Sequence, residues 1–182
     1  MITQWSWSWR LSRIALSVLI LVAAAAAAPA KADDWPESVT WYGSYPSDGP
    51  NGANIYKLTC IHAALARLVG EQIYRRVILA WETQPPLLVD GDTMLIEGCK
   101  PHFCDGDQDT ILLQDRKMSV CIYHVLVPTG SVFFPGPSER LWYMEGVDLP
   151  VVERDPKDEE GCEFKSVKEA MTKLQNARAM AE

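Results

Sequence analysis

The sequence predicts an α+β fold: a central antiparallel β-sheet with flanking helices and a protruding loop closed at both ends by cysteine. Three observations predict it. Apolar residues recur at three-to-four spacing between Asn54 and Trp81, the period of a helix buried on one face. Five short strand-like runs then follow between Leu87 and Met144, separated by turn-forming residues and by no helical pattern. Among them the stretch Gly98-Cys99-Lys100-Pro101-His102-Phe103-Cys104 encloses four residues between two cysteines.

In chain order, the first segment precedes any fold. Arg10 and Arg13 lead into an uncharged apolar run from Ile14 to Ala28, and Ala30-Lys31-Ala32 places small residues where a signal peptidase cuts. Those 15 residues are fewer than the roughly 20 that span a bilayer, and no stop-transfer pattern follows. Residues 1–32 are therefore expected to be a signal peptide, with residues 33–182 forming a single domain that has no membrane segment after cleavage. Three of the 17 basic residues and none of the 24 acidic ones lie in 1–32, so the remainder carries 14 against 24, a formal charge of −10. Such a surface repels nucleic acid and anionic lipid and favours a cationic protein partner.

The first helical pattern uses Leu58, Ile61, Leu65, Leu68, Val69, Ile73, Val77 and Ile78. Gly70 interrupts it and Pro85-Pro86 forbids its continuation. Strands are expected at Leu87–Val89, Met94–Ile96, Thr110–Leu113, Met118–Val125 and Arg140–Met144. Asp90-Gly91-Asp92, Asp105-Gly106-Asp107, Pro128-Thr129-Gly130 and Pro135-Gly136-Pro137 supply the turns. Such close spacing favours an antiparallel meander over a parallel sheet. The charged stretch from Glu153 to Gly161 reads as a solvated connector, and Ser166 with Glu169 forms a capping box that opens a final helix through Val167, Met171 and Leu174.

Export to an oxidising compartment makes disulfides the expected state of the five cysteines. Cys99 and Cys104 are close enough to close a small ring unaided. A Cys60–Cys162 bridge is attractive because Cys60 sits in a helical pattern and Cys162 just before another, while nothing in the sequence excludes Cys60–Cys121; with an odd count, one thiol stays free or pairs between chains, which admits a homodimer. Pro101 fixes its own φ and biases Lys100 toward an extended backbone, so this ring, at a strand-to-strand connection, is restrained twice. Closing it removes roughly 2 kcal/mol of chain entropy, whereas ordering a free loop costs about 1–2 kcal/mol per residue. That is the physics of a preorganised binding loop.

Other chemistries fit less well. Cys99, His102 and Cys104, with Cys121 or His124, contain zinc-ligand types, but no second knuckle is present, and Cys121 and His124 point to opposite faces of a strand. A thiol-disulfide enzyme needs Cys-x-x-Cys at a helix start. Glu71, Glu82 and Glu97 are isolated, with no nucleophile elbow or phosphate-binding glycine loop, so neither an enzyme nor a metal or other cofactor is expected. His62 and His124 read as packing or surface residues. Trp35, Trp41, Trp81 and Trp142 read as core and edge packing.

The six residues Cys99-Lys100-Pro101-His102-Phe103-Cys104, preceded by "VDGDTMLIEG" and followed by a strand pair and "LWYMEGVDLP", resemble the Ivy family of periplasmic inhibitors of C-type lysozyme. The resemblance runs over roughly Cys60 to Pro150. It implies a periplasmic inhibitor of a C-type lysozyme or lysozyme-like glycosidase whose loop enters the enzyme cleft. His102 would meet the two catalytic carboxylates, Cys99 and Cys104 would form the staple, and Lys100 and Pro101 would shape it. Phe103 stands where relatives carry Asp or Asn, and the acidic "DGDQD" after Cys104 is longer than usual. The alternative target is the cell's own lytic transglycosylases, which share a lysozyme-like cleft.

Overall fold

Strand β2, Thr93–Cys99, pairs residue by residue with β3, Asp107–Gln114, from Thr93 opposite Gln114 to Cys99 opposite Gln108. This register fixes the loop between them, and the rest of the sheet extends the same pattern. The computed structural model describes residues 35–81, 83–125, 137–154, 156 and 161–182. The stretch read as a signal peptide, 1–32, and the turn residues 128–130 and 135–136 lie outside it.

Strands β1 (Leu88–Asp90), β2, β3, β4 (Lys117–Val125), β5 (Ser138–Met144) and β6 (Val151–Arg154) lie side by side in chain order, each antiparallel to the next. The meander is the expected one. Helices α1 (Ser38–Trp41), α2 (Thr59–Val69) and α3 (Glu71–Ile73) precede it, and α4 (Val167–Ala181) follows it.

Both faces of the sheet are covered, which explains why strands such as Ile111-Leu112-Leu113 are apolar at successive positions. Met94, Ile96, Ile111, Leu113, Val120 and Ile122 face a core with Ile61, Leu65, Tyr74 and Ile78 from the α2 side. The alternate residues Leu95, Leu112, Cys121, Tyr123 and Trp142 face Phe164, Val167, Ala170 and Leu174 from the α4 side. Period two thus divides one run of hydrophobic residues between two cores.

The first helical pattern is not one helix. Leu58 is extended with ψ 131°, so Ile55–Lys57 form a separate tight turn. Gly70 adopts φ +84°, a backbone conformation open chiefly to glycine, and ends α2. Tyr74–Ile78 then winds as a π turn, with Leu79 N–H donating to the Tyr74 carbonyl at 2.9 Å. At α4, Ser166 Oγ accepts from Glu169 N–H at 3.2 Å, while Glu169 Oε2 accepts from Lys165 N–H at 2.9 Å. The Glu reaches one residue further back than the standard box.

Two expectations are corrected. Glu153 and Arg154, read as connector, belong to β6: Arg140 Nη1 meets Glu153 Oε2 at 2.9 Å, and Arg154 Nε meets Glu139 Oε1 at 3.5 Å. The second disulfide joins Cys121 to Cys162, not Cys60 to either. The reason is geometric: Cys60 packs on the α2 face, whereas Cys121 and Cys162 lie together in the core on the α4 face.

Candidate inhibitory loop

Cys99 is the last residue of β2, Asp107 the first of β3, and residues 100–106 join them. The tip is a reverse turn, with Phe103 N–H donating to the Lys100 carbonyl at 2.9 Å. Pro101 takes the second position, where its fixed φ fits. His102 takes the third with φ +65°, and that combination defines a type II turn. Glycine is the usual occupant there, although histidine tolerates positive φ better than most residues. The side chain of His102 is exposed.

A second turn follows, in which Gly106 and Asp107 N–H both donate to the Phe103 carbonyl, at 3.1 and 2.9 Å. Lys100 N–H closes the ring onto the Asp107 carbonyl at 3.1 Å. The Cys99–Cys104 disulfide spans this double turn with its Cα atoms 4.9 Å apart. All six loop residues singled out in the sequence thus belong to one stapled structure. Phe103 is 36% exposed, and its ring lies on Gly106, where an added Cβ would come within 2.2 Å of it. The departure from a polar residue is therefore accommodated by packing within the loop.

Sequence reasoning missed the anchoring beneath the turn. Asp107 accepts from Lys100 Nζ at 3.2 Å through one oxygen and bonds His124 Nδ1 at 2.9 Å through the other. His124, opposite Asp107 in the register, presents its ring to the edge of Trp81 with centroids 5.7 Å apart. Val125 N–H donates to the Gly106 carbonyl at 2.8 Å, and Cys99 N–H to the Thr83 carbonyl at 2.9 Å. The signal lay in the "DGDQD" stretch, which length alone did not explain. Cys99, Cys104 and Cys121 are all held in disulfides, so the thiolates of the zinc reading are consumed.

Two carboxyl groups, one buried and one half-buried, stand behind the loop. Asp109 is 1% exposed, and neither of its oxygens has a hydrogen-bond partner among the described residues. Burial, with a smaller contribution from Glu97, pushes its pKa up to about 8. It faces Gly98 across the β2–β3 pair, where a Cβ would lie 2.8 Å from its Oδ1. Glu97, on the α4 face, accepts from Phe164 N–H at 2.7 Å, and burial raises it to about 7.

Fold and loop together define a class: an α+β protein that holds out a disulfide-closed turn from the end of an antiparallel sheet. Comparison adds a likeness to one family. Residues 60–139 match the family model described as Inhibitor of vertebrate lysozyme (Ivy), and over that stretch the chain is similar to that family. No curated protein and no solved structure gave a match.

Proposed function

We propose that the protein inhibits a C-type lysozyme by occlusion, with the Cys99–Cys104 loop as the plug and His102 as its central contact. The observation that carries this reading is the stapled type II turn, which holds an exposed imidazole at its tip. A retaining glycosidase of this kind works with two carboxylates about 5 Å apart. An imidazolium donates from both nitrogens, so it can bridge such a pair. The turn is ordered before binding, which spares the entropic cost of ordering it on contact. In this reading the protein is not an enzyme, holds no cofactor, and works in the periplasm after loss of residues 1–32.

A lysis assay tests it. The purified protein should block a C-type lysozyme and spare goose-type and phage-type enzymes assayed beside it. Stronger inhibition of an endogenous lytic transglycosylase than of the lysozyme would move the target to the cell's own wall enzymes. Inhibition of none would remove the proposal.

A further inference from the structure

The loop disulfide is also one wall of a cavity to which the plug assigns no role. The cavity encloses about 340 Å³ on the α4 face, at the root of the loop, with Gln84, Glu97, Cys99, Cys104, Gln108 and Glu163 among its lining. Among the described residues, no lysine or arginine lines it. The nearby ammonium of Lys100 is directed to Asp107 instead. Gln84 donates through Nε2 to the Trp81 carbonyl at 3.3 Å, which leaves its buried Oε1 as an acceptor with no partner among the described residues. Gln108 Oε1 already accepts from Cys162 N–H at 2.8 Å. What the cavity presents is therefore an acceptor set: two carboxylates and one amide oxygen, between the disulfide and Pro85.

A group that satisfies this set must donate several hydrogen bonds, carry positive charge and bring an apolar stem. A guanidinium on its methylene chain has all three properties. Resting on the plug reading, we propose that the cavity receives an arginine side chain of the enzyme engaged by the loop, with Glu97 and Glu163 as its countercharge. Cys99 and Cys104 belong both to the loop and to the cavity wall, so a protein that surrounds the loop lies beside the cavity. The overall acidity of the chain favours such a basic neighbour.

The same geometry sets a pH dependence. Glu97 is held near 7 by burial, with Glu163 and Glu169 adding repulsion, the Phe164 N–H and the Thr110 hydroxyl opposing it, and Asp109 on the opposite face of the sheet itself raised to about 8. An entering cation displaces the proton of Glu97, so affinity should rise between pH 6 and pH 8.

The test has two arms. In the first, isotope-labelled protein is titrated with N-acetylarginine methylamide and, separately, with its neutral citrulline counterpart, by NMR. The arginine probe should shift the amides of Gly98, Cys99, Gln108 and Glu163 saturably and more tightly at pH 8 than at pH 6, the citrulline probe should not, and Glu97→Gln with Glu163→Gln should weaken binding at least tenfold. Absence of localised shifts, equal binding of both probes, or an unchanged double variant overturns the cation site. In the second arm the double variant should leave the lysozyme about tenfold faster than the parent; an unchanged off-rate, with the first arm positive, overturns the assignment of the occupant. A parent that inhibits no lysozyme removes the plug and with it the enzyme-borne arginine, while the first arm alone decides whether the cavity is a cation site.

Discussion

His102 carries two separable burdens, its left-handed backbone and its imidazole. Replacing it with alanine should weaken inhibition by tens to several hundredfold, a loss on the order of 2–4 kcal/mol, because partners in a water-poor cleft are left unpaired. Alanine also dislikes φ +65°, so His102→Asn, which tolerates that backbone, should lose nearly as much if the imidazole is the contact. An Asn variant that inhibits like the parent would assign His102 to turn geometry alone. Pro101 and the flanking cysteines made this turn legible in sequence. Asp109 was not legible, because a carboxyl in "DGDQD" reads as solvated turn until the register puts it against Gly98 inside the sheet. Its pKa of about 8 makes it a pH-dependent liability. Below about pH 4 it is protonated in both states and costs nothing; between there and 8 the unfolded chain ionises freely while the fold resists, so stability falls as pH rises and levels off beyond 8. Asp109→Asn should flatten that slope in urea unfolding and exceed the parent at pH 8 by on the order of 1–3 kcal/mol. Glu97, raised to about 7, should keep a residual slope in the variant.

Among the elements, the meander was legible because its turns are marked by glycine, proline and aspartate and its strands are apolar on both faces. Strand β6 was hidden: four residues long and half charged, it is recognisable only through its pairing with residues 139–142 of β5. The break at Gly70 could be seen in sequence, but the π turn of Tyr74–Ile78 could not, since the apolar period runs through it. Cysteine pairing depended on which face of the sheet each thiol occupies, information that spacing does not carry. The two disulfides should therefore fail differently. Cys99 and Cys104 lie five positions apart, so Cys99→Ser with Cys104→Ser should cost about 2 kcal/mol, slow association with lysozyme and lower the unfolding midpoint only modestly. Cys121 and Cys162 are separated by 41, and their bridge fixes the segment whose backbone also bonds Gln108, Thr110 and Arg140. Its loss should cost about 4 kcal/mol and lower the midpoint sharply. Equal midpoints for the two double variants would refute this division of labour.

At the scale of the whole molecule, the antiparallel meander expected from the sequence keeps loop and helices on separate parts of one sheet. Charge acts at this scale as well. The chain carries −7, and −10 over residues 33–182. Summed over a small surface, such a charge draws a cationic enzyme through distances greater than any single ion pair reaches. Steering of this kind acts on encounter, because the long-range field is felt before contact, whereas the contacts within the cleft govern escape. Raising the salt from low to physiological strength shortens the Debye length to about 8 Å and removes most of the long-range attraction. Association of the protein with a basic lysozyme, followed by stopped flow, should therefore slow about tenfold or more across that range, while dissociation changes little. His102→Ala should show the same salt slope on association, since it leaves the field intact and acts on escape. An association rate that is flat with salt would reduce the acidic surface to a solubility feature and leave recognition to short-range contacts.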